Sequence, residues 1–128
     1  TSNICTNQGL AVTAATIHMA LLGGGGLQAV ARACMAGTQW LRARLAAMQG
    51  VTLLGEGPVF HEFVVRLPVD AARVVDALAD RGILPGLALG VEFPAMRDCL
   101  LICVTETKTE ADLRQLLDEL GRVLAMEA

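Results

Sequence analysis

Four residues, Gly55-Glu56-Gly57-Pro58, set the tightest limit on how this chain can fold. They stand between two stretches of strand character, Val51 to Leu54 and Phe60 to Leu67, and Gly and Pro at that density mark a turn. A parallel pair of strands needs a crossover of about a dozen residues or more, so a link this short makes the two strands antiparallel neighbours. The rest of the chain must supply what covers them.

Downstream, the elements follow from spacing. Pro68 ends the second strand, Asp70 suits a helix N-cap, and Ala71, Val74, Val75 and Leu78 repeat on one helical face before Gly82. Ile83 to Gly90, ILPGLALG, is apolar but carries Pro85 and Gly86, which confines it to an edge strand or an extended connector. After a loop containing Pro94, Leu100 to Val104 reads as a central strand, with Cys99 and Cys103 as small buried fillers. Thr109 and Asp112 then form a capping box, and Leu113, Leu116, Leu117, Leu120, Val123 and Leu124 line one face of a closing helix.

Upstream, the spacing predicts two helices. In the first, from about Leu10 to Leu22, the stripe Leu10, Ala14, Ile17 and Leu21 is matched by Val12, Met19 and Leu22 on the other side, which predicts burial on more than one face. Gly23 to Gly26 reads as a helix stop and hinge. A phosphate loop would follow a strand and carry a Lys-Ser or Lys-Thr pair, and neither holds here. The second helix, Leu27 to Met48, has its stripe on Leu27, Val30, Cys34, Leu41, Leu45 and Met48 and leaves Trp40 off it, partly exposed or facing a group outside this chain.

The fold class is therefore α+β: a mostly antiparallel sheet with helices packed on one face, preceded by two helices. The division expected is a polar leading loop and two helices over 1–50 and the α+β domain over 51–128.

Composition narrows the function. A net charge of −3, a pI near 5.2 and 3% aromatic residues leave neither a basic stripe nor a stacking platform for bases, so nucleic acid is not expected as a partner. At 54% hydrophobic residues and a mean hydropathy of +0.53, the chain carries more aliphatic surface than a free-standing domain of this size needs, which points to a missing partner layer. The longest apolar run, Gly9 to Leu22, is shorter than the roughly 20 residues of a bilayer crossing and has no basic leader, so neither a membrane span nor a secretory signal is expected.

Chemistry-bearing residues are sparse. Cys5, Cys34, Cys99 and Cys103 lack CxxC spacing, and an aliphatic core has no need of disulfides, so they read as reduced and the protein as cytoplasmic. Four residues of strand hold Cys99 and Cys103 about 13 Å apart, too far for one zinc ion, and HEFVV at His61 to Val65 has no second His for a zinc protease motif. No metal site is expected. Lys108, the single lysine, lies on the approach to an exposed helix where nothing desolvates it into a Schiff-base nucleophile. His18 reads as a core histidine, His61 has no Ser or Cys placed beside it as a nucleophile, and Glu106 reads as part of a helix-entry loop. No residue is assigned as catalytic.

The polar run Thr1 to Gln8 remains. Hydroxyl and amide groups at nearly every position before an apolar helix can present a loop at the mouth of a site, or Thr6 or Asn7 can simply cap that helix. The motif begins at residue one without an initiator Met, so the chain reads as a fragment.

TSNICTNQGL, HEFVVRLP, GILPGLALG and LLICVTETKTEADLRQLL, in this order and spacing, resemble the C-terminal part of subunit 1, the alpha-type half, of glycine decarboxylase, the P-protein of the glycine cleavage system. The resemblance spans essentially all 128 residues. It implies the small C-terminal domain of a fold-type-I, pyridoxal-phosphate-dependent transferase. The family's reaction removes the carboxylate of glycine as carbon dioxide and passes the aminomethyl group to the lipoyl arm of the carrier H-protein. By the same resemblance the cofactor belongs to the complete enzyme and is held by a lysine of subunit 2, with none in this fragment, which is expected to be inactive alone. Thr1, Ser2, Asn3, Cys5 and Thr6 match the family motif and would lie where the large and small domains meet, facing the subunit interface, a location without a catalytic role. The alternative from another class is a small-ligand-binding regulatory α+β module, with ILPGLALG as its ligand loop and pairing through its sheet edges.

Overall fold

A computed structural model describes residues 8–127, so Thr1, Ser2, Asn3, Cys5 and Thr6, and with them the choice between loop and cap, lie outside the described residues. The chain divides into two compact units, one ending at Arg32 and the other beginning at Ala33.

The two helices expected are both present, following one another as α1 (Gly9–Ala46), with helical geometry lost at Gly23 alone (φ 61°, ψ −177°), inside the glycine run expected to stop the first. A positive φ is cheap only for glycine, so the break sits on the first residue of the glycine run while Gly24 to Gly26 stay helical. The expectation that the first helix is buried on several faces fails. Residues 9–21 are all exposed, with Leu10 and Leu21 at 86% and 82%, and His18 is exposed with them rather than buried in a core. Periodicity shows that a face wants a partner and does not say where the partner comes from.

At 38 residues, with a mean hydropathy of 1.5 over its most apolar window, α1 is long and apolar enough to cross a bilayer. The break at Gly23 leaves the part before it, Gly9 to Leu22, only about 21 Å long at 1.5 Å per residue, against a hydrocarbon core of about 30 Å.

The second unit has its own core. The last turns of α1 bury Cys34, Thr38, Leu41 and Leu45, spaced as one stripe, while Leu27 of the expected stripe is exposed. Four strands follow: β1 (Thr52–Leu54), β2 (Glu62–Arg66), β3 (Leu87–Ala88) and β4 (Cys99–Cys103), in the order β1-β2-β4-β3. All pairs are antiparallel, with Leu53 opposite Val65, Val65 opposite Leu100 and Ala88 opposite Leu100. As the link at residues 55–58 requires, β1 and β2 are neighbours; ILPGLALG supplies only the short edge strand β3, and β4 is interior.

Side chains alternate across the pleat. Phe63, Val65, Leu100 and Ile102 share one face and are buried in a single cluster with Val74 and Leu78 of α2 (Ala71–Ala79) and Leu113, Leu116, Leu120, Val123 and Leu124 of α3 (Glu110–Glu127). On the opposite face, Leu54, Val64 and Leu101 are half-buried and Leu87 is exposed. This is the α+β layer with helices on one face.

Both helix starts are fixed by side chains. The Asp70 carboxylate accepts from Ala72 N at 2.9 Å and from Arg97 Nε at 2.6 Å, tying α2 to the segment before β4. Thr109 N donates to Asp112 Oδ2 at 2.8 Å and Asp112 N donates to Thr109 Oγ1 at 3.2 Å, the reciprocal pair of a capping box. Trp40 is half-buried against the core, with the Arg44 guanidinium 3.6 Å and that of Arg114 5.3 Å from its ring centroid.

Candidate functional site

The polar chemistry of the second unit gathers where β4 ends and α3 begins. Antiparallel pairing places Cys103 directly opposite Glu62, and the Val104 amide donates to the His61 carbonyl at 2.8 Å. From the far side, the Cys34 thiol on α1 donates to Glu106 Oε2 at 3.5 Å.

This arrangement corrects two sequence readings. Cys103, the last residue of β4, is exposed rather than a buried filler; Cys99, at the other end of the strand on the same face, is fully buried as expected. His61, read as having no Ser or Cys beside it, has the Cys103 sulfur within 4.8 Å of a ring nitrogen. The two lie far apart in sequence, and the strand register was the signal that could have joined them. The pair is not an activated nucleophile, since desolvation pushes the Cys103 thiol up, and the Glu62 and Cys34 charges push it further. Cys99 is raised in the same way, by burial first and by its hydrogen bond to Asp98 second.

Beside this cluster lies a pocket of about 200 Å³ whose walls include Ile83 and Pro85 of the ILPGLALG loop, Leu41, Ile102, Lys108 and Asp112. Small-molecule sites run to about 300–1,000 Å³, so it is small for a ligand loop to serve. It also does not fit pyridoxal phosphate. Lys108 is exposed on the turn before α3, and the first turn of that helix, where a phosphate would seat, carries Glu110 and Asp112, which repel an anion.

The sequence and the fold have known counterparts. The family described as "Glycine cleavage system P-protein" matches residues 1–120. The chain is 54% identical over 125 residues to a probable glycine dehydrogenase (decarboxylating) subunit 1 of Thioalkalivibrio sulfidiphilus, covering 98% of this chain and 28% of that protein. It is 50% identical over 124 residues to the protein of the same name from Methylococcus capsulatus, covering 97% of this chain and 27% of the other. The chain thus spans little more than a quarter of the length of these relatives.

Among solved structures, an inhibitor-bound glycine decarboxylase (P-protein) of the glycine cleavage system superposes with a TM-score of 0.75 at 34% identity, covering 84% of this chain and 24% of the other. An aminotransferase from Streptoalloteichus hindustanus superposes with a TM-score of 0.58 at 17% identity, covering 80% of this chain and 34% of the other. That second likeness is one of fold alone, and it agrees with the small domain expected of a fold-type-I transferase.

Proposed function

The chain belongs to the glycine cleavage system P-protein family, and from that membership we propose that it is the C-terminal part of subunit 1 of a glycine dehydrogenase (decarboxylating), an oxidoreductase of glycine catabolism. The observation that carries the reading is identity near one half along nearly the whole chain to proteins of that name, of which it covers little more than a quarter.

The complete enzyme decarboxylates glycine and delivers the aminomethyl group to the lipoyl H-protein, with subunit 2 as its second partner. The electron sink for that reaction is pyridoxal phosphate on a lysine of subunit 2. This chain supplies walls: its α+β unit closes one side of the assembled site, and Thr1, Ser2, Asn3, Cys5 and Thr6 lie toward the subunit interface. Alone it is inactive and binds no cofactor. Exposed Leu10, Ile17 and Leu21 support the reading, because a helix that apolar needs a cover, and the remaining length of the parent protein provides one without a membrane. The cysteines stay reduced in the cytoplasm, which suits the free Cys34, Cys99 and Cys103.

A chimaera tests this. The matching segment of a relative's subunit 1 is replaced by this chain, co-expressed with subunit 2, and assayed for glycine-dependent carbon dioxide release with lipoylated H-protein. Retained turnover is expected; a folded, assembled but inactive chimaera overturns the assignment. Cofactor binding by the isolated chain is tested by titration with pyridoxal phosphate, where a saturable absorbance change that borohydride fixes onto Lys108 contradicts the proposal.

A further inference from the structure

The start of β2 and the end of β4 carry a donor set that the glycine reaction leaves unused. One ligand atom from each of His61, Glu62 and Cys103 lies within 4.8 Å of the other two. Two of the three are held by the sheet itself, since Glu62 and Cys103 face each other in register. His61 is placed by its backbone bond from Val104 and by the Phe60 ring, edge-on at a centroid distance of 4.5 Å.

A second observation bears on what belongs there. The Nδ1 atom of His61 is buried and has no hydrogen-bond partner. A buried imidazole nitrogen left unpaired is costly, and a metal bond at Nδ1 would satisfy it, the proton of the neutral ring then sitting on Nε2. Imidazole, carboxylate and thiolate together select a borderline-soft cation; magnesium and calcium take oxygen ligands.

We propose that His61, Glu62 and Cys103 form a binding site for a divalent cation of the zinc class, which clamps the adjoining ends of β2 and β4. Bonds of about 2.0–2.3 Å put neighbouring ligand atoms of a tetrahedral zinc about 3.3–3.8 Å apart, so the cluster needs about an ångström of side-chain closure to bind. On binding, the Cys103 thiol releases its proton to solvent, the sulfur lone pair forms the metal bond, and the metal stays divalent. Water fills the fourth position.

Cobalt(II) is the probe, because its bond to a thiolate has a near-ultraviolet charge-transfer band. Titration of the reduced protein is expected to saturate at one equivalent, and zinc to abolish the band. Cys103→Ser removes the band, His61→Ala and Glu62→Gln each weaken binding at least about tenfold, and Cys34→Ser keeps it, with circular dichroism confirming that each variant is folded. Absence of a thiolate band at saturating cobalt, or an unchanged band in folded Cys103→Ser, overturns the proposal. So does weak binding indifferent to all three substitutions, which marks an adventitious ion only.

Discussion

Gly86 passes so close to Leu101 that a Cβ on Gly86 would fall 2.1 Å from the Leu101 carbonyl oxygen. The backbone at Gly86 has φ 153°, a region that side chains avoid, so both sterics and conformation reserve the position for glycine. Gly86→Ala is expected to cost at least about 2 kcal/mol, from backbone strain and a displaced edge strand together. Urea unfolding reads this directly, and an unchanged midpoint would show that the β3 segment does not hold this close approach.

Among the described residues Thr38 is the one polar residue whose side chain is fully buried, and its Oγ1 has no hydrogen-bond partner. Thr38→Val keeps the shape and removes the unpaired hydroxyl, so stability should rise by about 1 kcal/mol. A loss of similar size in the same unfolding assay would mean that the hydroxyl is bonded after all.

The capping box predicts a local effect. Thr109→Ala removes the acceptor for the Asp112 amide and should cost about 1 kcal/mol. Hydrogen exchange should accelerate in the first turn of α3 and leave β2 and β4 unchanged; uniform acceleration would show that the cap acts on the whole fold.

Acid sensitivity follows from three depressed aspartates. Asp70 is lowered by the Arg97 side chain first and the Ala72 amide second, Asp98 chiefly by the Cys99 thiol, and Asp112 by both hydrogen bonds from Thr109. Each has a folded pKa below its unfolded value of 3.8. Their stabilising contribution is therefore complete above that value and is lost as pH falls through the folded pKa. Melting temperature should hold steady on this account from neutral pH down to about 4 and drop below it. Asp70→Asn should flatten the drop, and a variant as acid-sensitive as the parent would remove Asp70 from the explanation.

The antiparallel pairing of the first two strands, the edge character of ILPGLALG, both helix caps and the family were legible because each rests on residues adjacent or a fixed few positions apart. Gly55 to Pro58 demanded an antiparallel pair, and Thr109 with Asp112 specified a cap; both appear. What failed rested on groups distant in sequence. The surroundings of His18 depend on what packs against α1, and the meeting of His61 with Cys103 depends on the register of β2 against β4, which no single stretch encodes. Thr38 was hidden for another reason: a stripe drawn from apolar residues passes over a hydroxyl that packs as though it were one of them.

The sheet offers little purchase at either border. One margin is the three residues Thr52 to Leu54 and the other the two residues Leu87 and Ala88, too short to template an incoming strand. Growth by strand addition is thereby discouraged, and the aliphatic row Leu54, Val64, Leu101 and Leu87 runs across the sheet from one short margin to the other without leaving a long free strand at either end.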